Sequence, residues 1–150
     1  NIWIGVSAEN QEAADKRLPV LMDIKCAHRF VSVEPMIGPV DLTVIPTNCH
    51  YADGSDPTFD YFNALDGSCY DPQHGYEHPG KFNHLEWVIC GAETGPGARY
   101  LKTDWACTLQ LDCIQANVPF FFKKWNDDRD RCYCANSMVV PEARHWPEGV

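Results

Sequence analysis

The sequence predicts an α/β protein: a parallel-stranded partial (β/α) barrel, the C-terminal half of one, with a long loop insertion. Three observations predict it. Short β-rich runs alternate with amphipathic segments of helical length, a pattern that implies parallel strands joined by right-handed crossovers. Three of those runs end in a small residue, one spacer and a glutamate: Ser7-Ala8-Glu9, Ser32-Val33-Glu34 and Gly91-Ala92-Glu93. Because side chains alternate across a strand, each glutamate shares a face with its small residue, while Val31, Val33, Val88 and Cys90 turn to the other face.

The elements follow in order. Residues 1–7 read as a first strand, and residues 8–24, with Ala13, Ala14, Leu18, Leu21 and Ile24 at near-helical spacing, as an amphipathic helix that Pro19 is expected to kink or split. HRFVSVE, residues 28–34, is a second strand, ended by Pro35 and followed by a turn at Gly38 and Pro39. Residues 85–91 form a third. Thr103 followed by Asp104 marks a helix N-terminus, Asn117 and Pro119 close that helix, and PFFFKKW supplies the fourth strand. The four strands are expected as parallel neighbours in chain order.

Residues 46–84 are expected to be a loop insertion and the least ordered part, since Asp, Gly, Pro, Asn and His dominate them. Residues 126–150 read as an irregular tail. The insertion carries Cys49, His50, Cys69, His74, His78 and His84 at spacings that match no standard zinc pattern, and Cys132 and Cys134 follow later, so no metal ligand is assigned.

At 150 residues, with 45% hydrophobic and 12% aromatic content, the whole chain, 1–150, fits a single domain with a packed core. It opens at Asn1 directly on an apolar run and is expected to be a fragment. No run approaches the roughly 18 apolar residues of a membrane span, and a cytoplasmic location is the default. A net charge of −9 argues against nucleic-acid binding through bulk charge. The eight cysteines fall below the ~8–10% of a disulfide scaffold, and most are expected to be free thiols.

Parallel strands send all their C-terminal ends to one edge, the usual location of chemistry in such barrels. Glu9, Glu34 and Glu93 gather there, as does Lys123, with the Thr94-Gly95-Pro96-Gly97-Ala98-Arg99 loop bending over the same mouth. Three carboxylates in one mouth repel one another unless protonated or paired, and Arg99 is the expected cation.

GVSAEN, RFVSVEPMIGPVDL, WVICGAETGPGAR and DWACTLQLDCIQANVPFFFKKW, in this order and spacing, resemble the C-terminal half of the phage gp-thirty-seven/sixty-eight family, a domain of unknown function. The resemblance covers nearly the whole chain outside the insertion and the tail. It implies kinship with radical S-adenosylmethionine proteins, an N-terminal half of the same barrel carrying a three-cysteine motif, and a separate three-Cys-motif partner protein. The cofactors implied for the full-length protein are S-adenosylmethionine and a 4Fe-4S cluster. The cluster is not assignable to this chain, whose cysteines do not reproduce the motif. On the same resemblance Ser7, Glu9 and Asn10 meet the ribose and amino-acid portions of the cofactor, and Arg99 clamps a carboxylate or phosphate. Ser32, Gly91, Gly95 and Gly97 complete the cofactor side, leaving Glu34, Glu93 and Lys123 as catalytic candidates. Two other classes stay open: a noncatalytic module binding a nucleotide-like ligand or a partner, and a metal-assisted hydrolase on a barrel scaffold.

Overall fold

The computed structural model describes residues 2–47, 60–71, 76–78 and 82–126. Its main sheet contains β1 (Trp3–Ser7), β2 (His28–Val33), β7 (Trp87–Cys90) and β8 (Phe120–Phe122), all parallel, in the order β1-β2-β7-β8. The alternation rule therefore predicted both the direction and the order of these strands. Two helices make the crossovers, α1 (Gln11–Asp23) between β1 and β2 and α2 (Thr103–Gln115) between β7 and β8. No helix among the described residues is long and apolar enough to cross a membrane.

The two faces of this sheet differ as the period of two requires. Arg29, Val31, Val33, Val88, Cys90, Phe120 and Phe122 are buried, in a core completed by Leu18, Leu21, Met22, Leu109 and Cys113 of the two helices. On the other face Trp3, Phe30, Trp87, Ile89 and Phe121 are half-buried. Their rings meet in a chain, Trp3 edge-on to Trp87 and Trp87 edge-on to Phe121, each pair with centroids 6.2 Å apart. Gly5 is required here because the Phe30 ring lies where its Cβ would be.

Helix α1 starts at an Asn10 cap, whose Oδ1 accepts from the Ala13 N–H at 2.9 Å. Pro19 does not split the helix, which runs from Gln11 to Asp23 with the proline inside it. Leu18, Pro19, Leu21 and Met22 are all buried, and that packing outweighs the ~3 kcal/mol a mid-helix proline costs. The C-terminal carbonyls are met by buried Arg29, which donates from Nη2 to Ile24 O at 2.5 Å and from Nε to Leu21 O at 3.4 Å. Helix α2 ends at Asn117, whose φ of 56° is the left-handed conformation that asparagine tolerates.

Between β2 and β7 lies a second sheet of four antiparallel strands: β3 (Ile45–Pro46), β4 (Tyr61–Phe62), β5 (Cys69–Asp71) and β6 (Tyr76–His78). It occupies much of the segment read from sequence as a loop insertion. Leu42, Ile45, Phe62, Ala64, Leu65, Cys69 and Leu85 are buried in the same core as the main sheet, and Phe62 stacks on Phe82 with centroids 5.1 Å apart. A few apolar residues at strand spacing, diluted in a polar composition, are enough to dock it. Cys49, His50 and His74, and the tail from residue 127 onward, lie outside the described residues.

Candidate functional site

The register places Ser32 beside Ile89 and Ile89 beside Phe121. Two residues further along each strand, on the same open face, come Glu34, Gly91 and Lys123. They form a row across the C-terminal rim. Lys123 Nζ lies 3.1 Å from Glu34 Oε2, so the ion pair spans from β8 to β2 over the intervening β7 chain. Gly91 makes this span feasible, because a Cβ there would sit 3.0 Å from Glu34 Cδ.

The backbone secures the same rim. The chain leaving β2 donates from Met36 N to Gly91 O and from Ile37 N to Glu9 O, both at 2.9 Å. Ala8 N also reaches Ser32 O at 2.9 Å, and Ala92 N reaches Lys124 O at 3.0 Å. The three small-x-Glu endings are thus held together by hydrogen bonds, and the sequence placed them correctly at one edge.

Their charges are arranged differently from the expectation of one shared cation. Glu9 is bound by Arg17 of α1, with Nη1 at 2.7 Å from Oε2 and Nη2 at 3.3 Å from Oε1, and Arg17 Nη1 also donates to Ser7 O at 2.6 Å. The guanidinium holds the Glu9 carboxyl below its ordinary value. Glu93 has Arg99 to itself: Nε donates to Oε2 and Nη2 to Oε1, each at 2.8 Å, and the Arg99 backbone N–H donates to Oε2 at 2.8 Å. These bonds, the side-chain ones first, lower the Glu93 carboxyl to about 2. The Arg99 carbonyl in turn accepts from Asn126 Nδ2 at 2.6 Å.

The remaining candidates have plainer settings. Gly95 and Gly97 have φ of 107° and 78° with open space around them, so they turn the loop that returns Arg99 to Glu93. Asn10 uses its side-chain oxygen on the α1 cap, Ser7 is exposed, and Ser32 is half-buried beside Ile89. Arg17 and Asn126 were not singled out from sequence. Arg17 carried one usable signal, its place about two helical turns beyond the Asn10 cap.

The cysteines described here do not fit an iron–sulfur cluster. Cys69, Cys90, Cys107 and Cys113 are buried, and burial pushes the Cys90 thiol up to about 12 and raises Cys113 as well. Among the described residues no group of three His, Cys, Asp or Glu side chains is placed to hold a metal ion.

Fold and rim together define an α/β protein with a four-stranded parallel sheet, two crossover helices and a charged C-terminal strand edge. The chain belongs to the family described as Protein of unknown function (DUF5131), whose model matches residues 1–140. Neither a curated protein nor a solved structure matches it.

Proposed function

We propose that this chain forms one wall of a ligand site at the C-terminal rim of a parallel (β/α) barrel, and that the ligand presents an α-amino-acid group. The observation that carries this reading is the Glu34–Lys123 pair, an acid and a base 3.1 Å apart over a glycine. A zwitterion can divide that pair, its carboxylate meeting Lys123 and its ammonium meeting Glu34, so that each charge keeps an opposite partner. Separating a pair whose lysine is 52% exposed costs on the order of 1 kcal/mol or less. Ser7, exposed, and Ser32, half-buried, present only small side chains on the same face.

S-adenosylmethionine has such an amino-acid group, and the resemblance to radical S-adenosylmethionine proteins supports it as the cofactor of the full-length protein. In this reading the N-terminal half of the barrel packs on the half-buried face of Phe30, Trp87 and Phe121, and the 4Fe-4S cluster is held outside the residues described here. The chain's own groups bind and orient: Glu34 and Lys123 hold the amino acid, while the Glu93–Arg99 clamp fixes the loop beside it. Electron transfer from the cluster would supply the chemistry of cofactor cleavage.

The test uses full-length protein purified without oxygen. Calorimetric titration should show saturable binding of S-adenosylmethionine, and Glu34→Gln and Lys123→Met should each weaken it at least about tenfold with little change in thermal unfolding. A folded protein that binds neither S-adenosylmethionine nor methionine, or variants that bind normally, would overturn the reading. Binding without reductive cleavage would make the protein a noncatalytic module.

A further inference from the structure

The opposite edge of the main sheet, where the strands begin, holds an open cavity of about 540 Å³. Trp3 and His28 come from the first residues of β1 and β2, and Glu86 and Pro119 from just before β7 and β8. Asp66 and Leu85 wall it from the chain between β4 and β7. Its size is that of a small-molecule site, typically ~300–1,000 Å³.

His28 is fixed in two ways. Its Nδ1 lies 2.6 Å from Glu86 Oε2, and its ring stacks on Trp3 with centroids 4.4 Å and planes 19° apart. In the neutral imidazole, donating Nδ1–H to the carboxylate leaves the lone pair on Nε2. Among the described residues Nε2 has no hydrogen-bond partner, and neither has Glu86 Oε1. Asp66 uses Oδ1 to accept from Ser68 N at 2.8 Å, and among the described residues its Oδ2 has no partner. These three unused acceptors belong to residues of one cavity, and no lysine or arginine is among its described lining residues.

We propose that this cavity binds an organic ammonium group carried on a compact aromatic or apolar body. An ammonium has three donors and no acceptor, which complements three vacant acceptors. Trp3, Ala116 and Pro119, all half-buried, supply apolar surface for the body. An anion of the same shape would meet the carboxylates of Asp66 and Glu86 in a cavity whose described lining holds His28 and His84 but no lysine or arginine. The site shares no residue with the C-terminal rim and goes beyond the rim reading, so either can fail without the other.

The probes are phenethylamine and its anionic counterpart hydrocinnamate, titrated into the full-length protein while the NMR signals of the Trp3 indole and His28 imidazole are followed. Phenethylamine should give saturable shifts at both residues at millimolar concentration or below, and hydrocinnamate should not. Glu86→Gln and Asp66→Asn should each weaken the amine about tenfold. Asp66 is exposed, and asparagine preserves the contact to Ser68, so this variant carries the test even if Glu86→Gln fails to fold. Equal response to amine and acid, absence of saturable response, or full amine affinity in folded Asp66→Asn would overturn the proposal.

Discussion

Lys123 Nζ reaches Glu34 Oε2 at 3.1 Å across a strand that presents only Gly91 beneath the pair. The bridge joins two strands that are not themselves hydrogen-bonded, since β7 lies between β2 and β8. The pair lies so close over Gly91 that a Cβ there would press on the Glu34 carboxyl.

Gly91→Ala should therefore break the bridge before it breaks the fold. The added methyl carbon would sit 3.0 Å from both Glu34 Cδ and Oε1, and the carboxyl end of a flexible side chain can swing away. Stability should fall by about 1 kcal/mol or less, near the low end of overpacking costs, while the Lys123 ammonium loses its partner. Denaturant unfolding and NMR of the Lys123 ammonium check this; an intact pair in the variant would show that Gly91 does not control it.

The Glu93 carboxyl should titrate near 2, well below its ordinary 4.5, because Arg99 binds its charged form. A depressed folded-state value makes the contribution of this clamp to stability fully present above about pH 4.5 and lost as pH falls toward 2. Arg99→Lys should return the titration toward the ordinary value, since an ammonium cannot supply the paired donors. Carbon-detected NMR of the Glu93 carboxyl across this range decides it, and a wild-type midpoint near 4.5 would remove the clamp.

Arg29→Met should destabilise the protein by about 2–4 kcal/mol, through loss of charge-assisted bonds to buried carbonyls and of the cation at a helix C-terminus. Arg29 is 8% exposed and its guanidinium donates to Leu21 O and Ile24 O. Methionine keeps much of the apolar stem, so the loss reports on the guanidinium. Chemical denaturation measures it, and a change under about 0.5 kcal/mol, the range of surface substitutions, would contradict the capping role.

Cys90 should resist alkylation in the folded protein at pH 8. Its thiol is fully buried, pushed up to about 12 by burial first and by the Glu34 charge second, so little thiolate is present. Half-buried Cys26 should react before it. Peptide mapping after iodoacetamide treatment, with and without denaturant, identifies the sites; labelling of Cys90 under native conditions would mean that the core opens there.

The four parallel strands were legible because period-two alternation and helix-length spacers are local, and connection rules leave few ways to arrange them. The small-x-Glu endings were legible as one rim for the same reason. The second sheet was not, because strands of two or three residues produce no period, and Leu42, Ile45, Phe62 and Leu65 become a core only once they meet the main sheet. The cavity at the opposite edge was equally hidden, since Trp3, His28, Asp66 and Glu86 lie far apart in the chain and none belongs to a motif.

By itself, then, the sequence determined which residues face which side of each strand and at which edge the carboxylates emerge, since alternation and chain direction follow from covalent geometry. It could not determine which cation each carboxylate takes. Arg99 looked like the common partner because it is near Glu93 in the chain, whereas the structure pairs Glu9 with Arg17, Glu34 with Lys123 and Glu93 with Arg99. Ion pairing acts over a few ångströms in space. Those distances are set by the rotation of α1 over the sheet, by the order that brings β8 beside β7, and by the single missing side chain at Gly91, all of which exist only in the folded chain.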